Sequence, residues 1–324
     1  MRVKRICLLL LVLLMLPVPT AWGEPEAVTA ARSSVAQVYG MGLDADTGQQ
    51  IRWTGTAFAV GIAGEESEIF LTNWHVATGS GRCRDGSVEL WLLLPQAEFD
   101  ARQVPLADSA VACQVLATTD GYPDVAVLRA ASPLPGCTAL PLLSSRQVLD
   151  GTQVYALGFP GLKSIRDTAP AAITQGSVTD HLVMTRAGNT RSIIHSAPIR
   201  HGFSGGPLVN QDGAVVAQNT YGFEEDVTTE LFCAVYTDYA MKLLDGLDIP
   251  YTRLTGPAAA TVFVANLLHR PDLSPALAWA LLALALLAGI AFLLCFVKTA
   301  LEAGRELRQR RREYTRNQHK KEVQ

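Results

Sequence analysis

The sequence has 324 residues, of which 49% are hydrophobic and 18% are charged, and its formal net charge is −3. This composition excludes a disordered chain, a collagen-like chain and a highly charged scaffold. At roughly 150 residues per domain the length suggests about two folding units, with a sizeable core that needs no metal ion.

The first 23 residues predict a secretory signal peptide. They begin with three basic residues, continue through an apolar run and end in Ala-Trp-Gly at 21–23. This order of a basic segment, an apolar segment and small residues is typical of exported proteins. We therefore expect the mature chain to begin at Glu24.

Short β-branched and apolar runs follow from Ser33 onwards, separated by Gly, Asp, Asn and Pro. Representative runs are residues 35–39, 55–60, 125–128 and 214–217. No helical pattern of the length that joins parallel strands lies between them, so the sequence predicts an all-β antiparallel sandwich or barrel and disfavours a βαβ fold.

Two further segments predict how this β region is divided and closed. The Pro- and Gly-containing stretch 131–136 indicates a boundary between β subdomains of about 33–131 and 137–237. Residues 238–247 predict a short amphipathic helix with Asp238 as its N-cap, which ends a domain of residues 24–250. Residues 251–275 are then a connector.

The C-terminal part predicts a membrane anchor. Residues 276–297 contain no charged residue and are long enough, as a helix, to cross a bilayer core. Residues 298–324 contain nine Lys or Arg and four Glu, so the positive-inside rule predicts a cytoplasmic tail. Residues 24–275 carry a net charge of −11, which argues against nucleic acid as a partner of the exported part.

Four cysteines lie in the exported part: Cys83, Cys113, Cys137 and Cys233. An even number of cysteines in an oxidising compartment predicts two disulfides. Three connectivities remain open, and we favour Cys83 with Cys113 and Cys137 with Cys233. A zinc site is disfavoured because no two of these cysteines have the spacing of metal ligands.

The segment Gly-Phe-Ser-Gly-Gly-Pro at 202–207 is the strongest candidate for a reactive site. A serine between glycines suits a tight turn from which Oγ projects, with the amides of Gly202 and Ser204 directed at a developing oxyanion. The alternative interpretation is a glycine-rich turn that merely precedes a strand.

Two other segments strengthen the catalytic interpretation. His75 follows an apolar strand, where it suits a general base, and Asp124 heads an alternating strand, where a carboxylate can orient the imidazole through Nδ1. Taken separately, they are also consistent with a surface histidine and a turn aspartate. Together with Ser204 they follow the chain order His, Asp, Ser, which one known triad architecture uses.

The three motifs together resemble those of trypsin-like serine peptidases of the bacterial HtrA-like group. The family's Thr-Asn-x-His-Val is present at 72–76 and its Asp-(Leu/Val)-Ala-Val-Leu at 124–128. Its Gly-Asn-Ser-Gly-Gly-Pro-Leu is present at 202–208, with Phe203 in place of Asn. The resemblance covers about residues 33–250. PDZ domains usually follow the protease unit in this group, whereas only about 25 residues separate this unit from the predicted span.

The resemblance implies a fold of two six-stranded antiparallel β-barrels and a catalytic mechanism. His75 would be the general base, Asp124 its orienting carboxylate and Ser204 the acylated nucleophile, with the amides of Gly202 and Ser204 as the oxyanion hole. No cofactor is required. The implied substrates are unfolded or flexible polypeptides.

The resemblance also implies a substrate pocket formed by the residues before the serine and by a later strand. The candidates are Pro198, Ile199, Arg200, His201, Gln218, Asn219 and Thr220. For Arg200, His201 and the nearby His195, exposure to solvent is the alternative interpretation.

Part of the sequence is also typical of two other functions. The segment 202–206 also fits the Gly-x-Ser-x-Gly turn of α/β-hydrolases, but that fold requires its histidine after the serine. The later histidines are His269, beside the predicted span, and His319, in the tail, so this interpretation fails. The remaining alternative is a catalytically silent or gated protease-like domain that acts as a membrane-tethered binding module.

Overall fold

The computed structural model describes residues 24–161, 170–184, 189–222 and 231–255. Within these ranges the chain forms two closed six-stranded antiparallel β-barrels, which confirms the predicted double barrel. Short runs of alternating apolar residues bounded by turns produce strands whose inner faces fill each barrel.

The first barrel is built from the N-terminal strands in the order β1-β2-β3-β6-β5-β4, with β4 pairing back to β1. Phe70, Leu92 and Leu128 are fully buried in its core. The strands are β1 (Val35–Leu43), β2 (Gln50–Ala59), β3 (Ile69–Thr72), β4 (Glu89–Leu93), β5 (Ala110–Thr118) and β6 (Ala126–Ala130).

The second barrel follows the order β11-β8-β9-β10-β13-β12 and is closed by pairing of β11 with β12. Two very short strands, β7 (Leu142–Leu143) and β14 (Arg253–Leu254), extend this sheet beyond β12 in parallel pairings. The six barrel strands are β8 (Gln153–Gly158), β9 (Ala172–Met184), β10 (Thr190–His195), β11 (Pro207–Asn210), β12 (Val215–Gly222) and β13 (Phe232–Tyr236).

One apolar cluster joins the two barrels. Phe58 and Leu71 of the first barrel belong to the same buried cluster as Leu157 and Val209 of the second. Burial of large aliphatic and aromatic side chains is the dominant favourable term in such a contact. This shared cluster holds the ends of β3 and β6 against the segments around β11 and β12, where the predicted reactive residues lie.

Short helices lie around the barrels: α1 (Glu26–Ala31), α2 (Trp74–Thr78) and α3 (Thr237–Gly246), with 3₁₀ turns at Arg32–Ser34 and Ser145–Gln147. Helix α3 begins one residue earlier than the sequence indicates. Asp238 therefore lies in its first turn and not at the N-cap, which is Tyr236. The Asp238 carboxylate accepts hydrogen bonds from Ser144 Oγ at 2.8 Å and from the Ser145 amide at 3.1 Å.

The predicted signal peptide 1–23, the span 276–297, the tail 298–324 and the connector beyond residue 255 lie outside the described residues. Within the part that is described, we find no helix with the length and apolar character needed to cross a membrane.

Candidate active site

His75 is positioned by the transition from β3 to α2. The strand ends at Thr72, the buried Asn73 has an extended backbone, and His75 lies in the first turn of the five-residue helix. The Asn73 side-chain amide donates to the main-chain carbonyl of Asp124 at 2.8 Å. This bond ties the start of α2 to the segment before β6, so that the His75 and Asp124 side chains face each other.

The Asp124 carboxylate is held by three donors. It accepts from His75 Nδ1 at 2.7 Å, from the His75 amide at 3.0 Å and from Thr220 Oγ1 at 2.6 Å. The Asp124 side chain is 10% exposed, whereas the His75 side chain is 32% exposed. Because the carboxylate accepts the proton of Nδ1, the lone pair of the imidazole is on Nε2.

Ser204 lies in a glycine-rich turn between the barrels. The Phe203 amide donates to the Arg200 carbonyl at 2.9 Å, and Gly202, the third residue of this turn, has φ of +101°. These are the features of a type II turn, which favours glycine at that position. A Cβ atom on Gly202 would lie 2.1 Å from the carbonyl oxygen of Phe159, so a larger residue does not fit without a shift of the backbone.

The Ser204 hydroxyl donates to the main-chain carbonyl of Thr220 at 2.9 Å. His75 and Ser204 line the same two clefts, so the histidine and the serine are brought to one place. Thr220 thus contacts two of the predicted reactive residues, with its hydroxyl on Asp124 and its carbonyl on Ser204.

The amides of Gly202 and Ser204 have no main-chain or side-chain acceptor among the described residues, whereas the amides of Phe203, Gly205 and Gly206 all donate to carbonyls. Unused amide donors beside a serine are the groups that an oxyanion hole requires. The structure therefore brings together His75, Asp124, Ser204 and two unoccupied main-chain donors.

Thr56 of the first barrel holds this turn, which the sequence did not predict. Its Oγ1 donates to the Gly202 carbonyl at 2.6 Å and accepts from the Phe159 amide at 3.0 Å. Its own amide donates to the Ser204 carbonyl at 2.9 Å. The sequence feature that could have indicated this role is the threonine in the Gly-Thr-Ala-Phe segment at 55–58, before the histidine.

Phe203, the departure from the family motif, is a core residue. It is 2% exposed and belongs to the apolar cluster of the second barrel. Its ring lies so close to Gly158 that a Cβ atom there would be 2.9 Å from it. Phe203 is the residue between Gly202 and Ser204, so its packing holds the backbone between the two unoccupied amides in place.

The main cleft beside His75 and Ser204 has a volume of about 600 Å³. Of the predicted pocket residues, Ile199, Arg200, His201 and Thr220 line it. Pro198 is exposed and Gln218 and Asn219 are buried, and these three are not among the described lining residues. His195 neither lines the cleft nor faces solvent, because it is fully buried in the second barrel.

The cleft has two walls that sequence reasoning missed. Trp74 and Tyr122 come from the first barrel, and Thr190, Ser192 and Val235 come from β10 and β13 of the second. Alternation of side chains along β10 puts Thr190 and Ser192 on one face. This alternation was the only feature of the sequence that could have suggested that Thr190 and Ser192 act together. It does not indicate which strand lies next to β10.

A second cleft, of about 560 Å³, shares His75, His201 and Ser204 with the first. His75, His201, Gly202 and Ser204 line it together with residues of the first barrel such as Arg52 and Trp53. The candidate reactive pair, His75 and Ser204, therefore borders both clefts.

The predicted disulfides are wrong: all four described cysteines are thiols. Cys137 packs in the core of the first barrel, whereas Cys233 is fully buried on β13 of the second, so the two belong to different barrels. Cys113 lies on β5, where its neighbours on the adjacent strands are Leu90 and Ala130. Cys83 lies in a loop, where its backbone forms an isolated β-bridge with Asp44.

Burial raises the pKa of both the Cys113 and the Cys137 thiol to about 12. Thiols with such pKa values are inert, because the thiolate is the reactive form. The number of cysteines and the expected oxidising compartment therefore predicted disulfides that the structure does not contain.

Comparisons with known proteins are consistent with this geometry. The family model described as "Trypsin-like peptidase domain" matches residues 55–217. Serine endoprotease DegS from Escherichia coli (strain K12) and from Salmonella typhimurium (strain 14028s / SGSC 2262) are each 28% identical over 229 residues. These alignments cover 68% of this chain and 56% of each relative, so the chain spans little more than half the length of the curated relatives it matches.

Among solved structures, the chain is similar to "HtrA-type protease AlgW with tripeptide", with a TM-score of 0.50 and 22% identity. The match covers 68% of this chain and 62% of that one. At this identity the likeness shows a shared fold.

Proposed function

Because this chain belongs to the family of trypsin-like peptidases, we propose that it is a serine endopeptidase that cleaves polypeptides through an acyl-enzyme on Ser204. The observation that carries the proposal is the convergence of three groups on one cleft. These are the His75–Asp124 pair, joined at 2.7 Å, the Ser204 hydroxyl, and the unoccupied amides of Gly202 and Ser204.

In the proposed mechanism, Ser204 Oγ attacks the carbonyl carbon of the scissile peptide while His75 Nε2 takes the hydroxyl proton. The negative charge that forms on the carbonyl oxygen is bound by the amides of Gly202 and Ser204. His75 then gives the proton to the leaving amine, which departs with the C-terminal fragment. Water, deprotonated by His75, hydrolyses the remaining ester and releases the N-terminal fragment.

Asp124 orients the imidazole and stabilises its protonated form during each half-reaction. Thr220 supports this role through its hydroxyl, which donates to the same Asp124 oxygen as His75 does. A rotation of Ser204 about χ1, between staggered wells, moves Oγ from the Thr220 carbonyl towards the imidazole. No cofactor enters any step.

The direct test is labelling of the purified full chain in detergent with a fluorophosphonate, read by intact mass. We expect one adduct on the wild type and none on Ser204→Ala. Ser177→Ala is the matched control, because Ser177 is a half-buried serine on β9 that does not line either cleft. Labelling of Ser204→Ala at the wild-type level contradicts the proposed nucleophile.

One observation favours a second candidate, a gated or catalytically silent protease-like binding module. The Ser204 hydroxyl is hydrogen-bonded to the Thr220 carbonyl. If this bond is the stable state in solution, the folded wild type labels slowly or not at all, and a bound polypeptide is required before Ser204 becomes reactive. Labelling with and without a denatured protein in excess separates constitutive from gated reactivity.

For the location of the domain, we propose export by residues 1–23, anchoring in a lipid bilayer by residues 276–297 and a cytoplasmic tail at 298–324. The support is the charge and hydropathy pattern of the sequence. In spheroplasts, protease added to the outer face of the membrane should digest the domain and spare the tail. Recovery of the protein in the soluble fraction contradicts the anchor.

A further inference from the structure

The inner end of the main cleft, meaning its most buried lining residues, consists of Ser192 and Val235, which are 1% and 2% exposed. Ser192 on β10 lies directly opposite Val235 on β13, and Val235 lies directly opposite Gln218 on β12. Residues that lie opposite one another in antiparallel strands project from the same face of the sheet. Ser192 and Val235 line the cleft, and Gln218 is beside Val235 on that face.

The polar side chains of Ser192 and Gln218 are buried without hydrogen-bond partners among the described residues. Ser192 is 1% exposed and Gln218 is 2% exposed, and within the described part of the chain neither Ser192 Oγ nor Gln218 Oε1 or Nε2 makes a hydrogen bond. A buried polar group without a partner is costly, because it has lost its bonds to water. A ligand that supplies these bonds is therefore favoured over one that does not.

The inner end of the cleft is also uncharged. It consists of Ser192 and Val235, with Gln218 next to Val235 on β12, whereas the charged residues that line the cleft are less buried. Asp124 is engaged by His75, while Asp120, Arg200 and His201 are exposed to solvent. A charged side chain inserted to the inner end would lose its hydration without gaining an opposite charge, which is strongly unfavourable.

From these observations we propose that this cleft is a specificity pocket for an uncharged hydrogen-bonding side chain, that of Thr, Ser, Asn or Gln, on the amino side of the scissile bond. The inference rests on the proposed function, because it takes Ser204 as the nucleophile. Ile199 and Val235 contact the aliphatic part of the inserted side chain, and Ser192 Oγ binds its polar end.

Pairs of peptides test this proposal with little change in shape. Fluorogenic peptides that differ only in Thr against Val, or Asn against Leu, at this position are offered to the full chain in detergent. We expect kcat/KM to be about tenfold higher for Thr than for Val, the factor that one net hydrogen bond of about 1.4 kcal/mol supplies. The same direction is expected for Asn over Leu. This comparison requires no variant.

The variant Ser192→Ala tests whether Ser192 causes the preference for Thr over Val. It should reduce the Thr-to-Val ratio of kcat/KM to about 1, because both peptides then meet a methyl group. Ser177→Ala makes the same chemical change in the second barrel away from the clefts and should keep the wild-type ratio. A Thr-to-Val ratio that persists in Ser192→Ala overturns the role of Ser192.

Fluorophosphonate labelling of the same samples separates failure of this inference from failure of the proposed function. If Ser204 is labelled but the wild type prefers Val and Leu, or cleaves none of the four peptides, the pocket inference is wrong and the serine chemistry stands. If Ser204 is not labelled and no peptide is cleaved, the proposed function is wrong and the inference falls with it.

Discussion

The hydroxyl of Thr56, in the first barrel, donates a 2.6 Å hydrogen bond to the carbonyl of Gly202, beside the serine of the second barrel. The same oxygen accepts from the Phe159 amide at 3.0 Å, and the Thr56 amide donates to the Ser204 carbonyl at 2.9 Å. With its carbonyl held by Thr56, the peptide group of Gly202 has a defined orientation relative to the neighbouring amides. Thr56 is therefore a positioning residue for the proposed oxyanion hole.

We expect Thr56→Val to lower kcat by about tenfold to a hundredfold with little change in KM, because the Gly202 carbonyl loses its donor and the oxyanion donors lose their alignment. Thr56→Ser keeps the hydroxyl and should retain most of the activity. Steady-state kinetics of both variants, beside their thermal melts, check this. Equal kcat values in folded Thr56→Val and the wild type would mean that the bond serves stability alone.

Asp124→Asn should preserve the fold and lower kcat by about 10⁴-fold. The carboxylate accepts from three donors, whereas an amide in its place must direct either its oxygen or its NH₂ group towards His75 Nδ1. The second arrangement puts the imidazole proton on Nε2, where it cannot take a proton from Ser204. Kinetics with a melting curve provide the measurement, and a loss smaller than tenfold argues against an orienting role for Asp124.

Phe203→Asn, which introduces the residue of the family motif, should lower the free energy of unfolding by about 3 kcal/mol. The cause is the loss of a buried ring that packs against Gly158, together with burial of an amide in an apolar cluster. Phe203→Leu is the matched control and should cost less, because it keeps an apolar side chain. Urea unfolding of the three proteins measures this, and similar midpoints for all three contradict an anchoring role.

Stability should decrease as the pH falls below about 6.5, partly because of His195. Burial lowers the pKa of His195 to about 4 from the ordinary value of 6.5. Between these values the unfolded chain binds a proton that the folded chain does not, so the free energy of unfolding falls by about 1.4 kcal/mol per pH unit. From this residue alone we expect a decrease of about 2 kcal/mol between pH 7 and pH 5.

Urea titrations at the two pH values measure this decrease. In His195→Leu the pH dependence should be smaller by that amount, while the contributions of the carboxyl groups remain and cancel in the comparison. An unchanged pH dependence in the variant would show that His195 is not the group responsible.

The thiols of Cys113 and Cys137 should resist alkylation by iodoacetamide in the folded protein at pH 8. Their pKa values of about 12 leave almost no thiolate, and both residues pack in the first barrel. Cys83, which is less buried, should react first. In urea without reductant, Cys113 and Cys137 should become alkylated, as peptide mass mapping will show. A requirement for reductant would reveal a disulfide that the structure does not contain.

The fold class and the candidate reactive residues could be predicted from the sequence alone. The strands are recognisable because alternation of apolar residues is a local property of each segment. His75, Asp124 and Ser204 were identified in the same way, since each lies in a short motif whose residue types are dictated by its own turn or strand end. The motif predicts His75 at the end of a strand, whereas the structure has it in the first turn of the helix that follows β3.

Contacts between segments distant in the chain were decided only by tertiary structure. Thr56 meets Gly202 across 146 residues, and Thr220 meets Asp124 across 96. Ser192 lines the cleft because β10 pairs with β13, a neighbour that alternation along β10 does not specify. The cysteines remain thiols for the same reason, because the packing of each barrel, and not cysteine count or compartment, sets their surroundings. Local patterns encode what each segment is, whereas burial and strand register determine which segments meet.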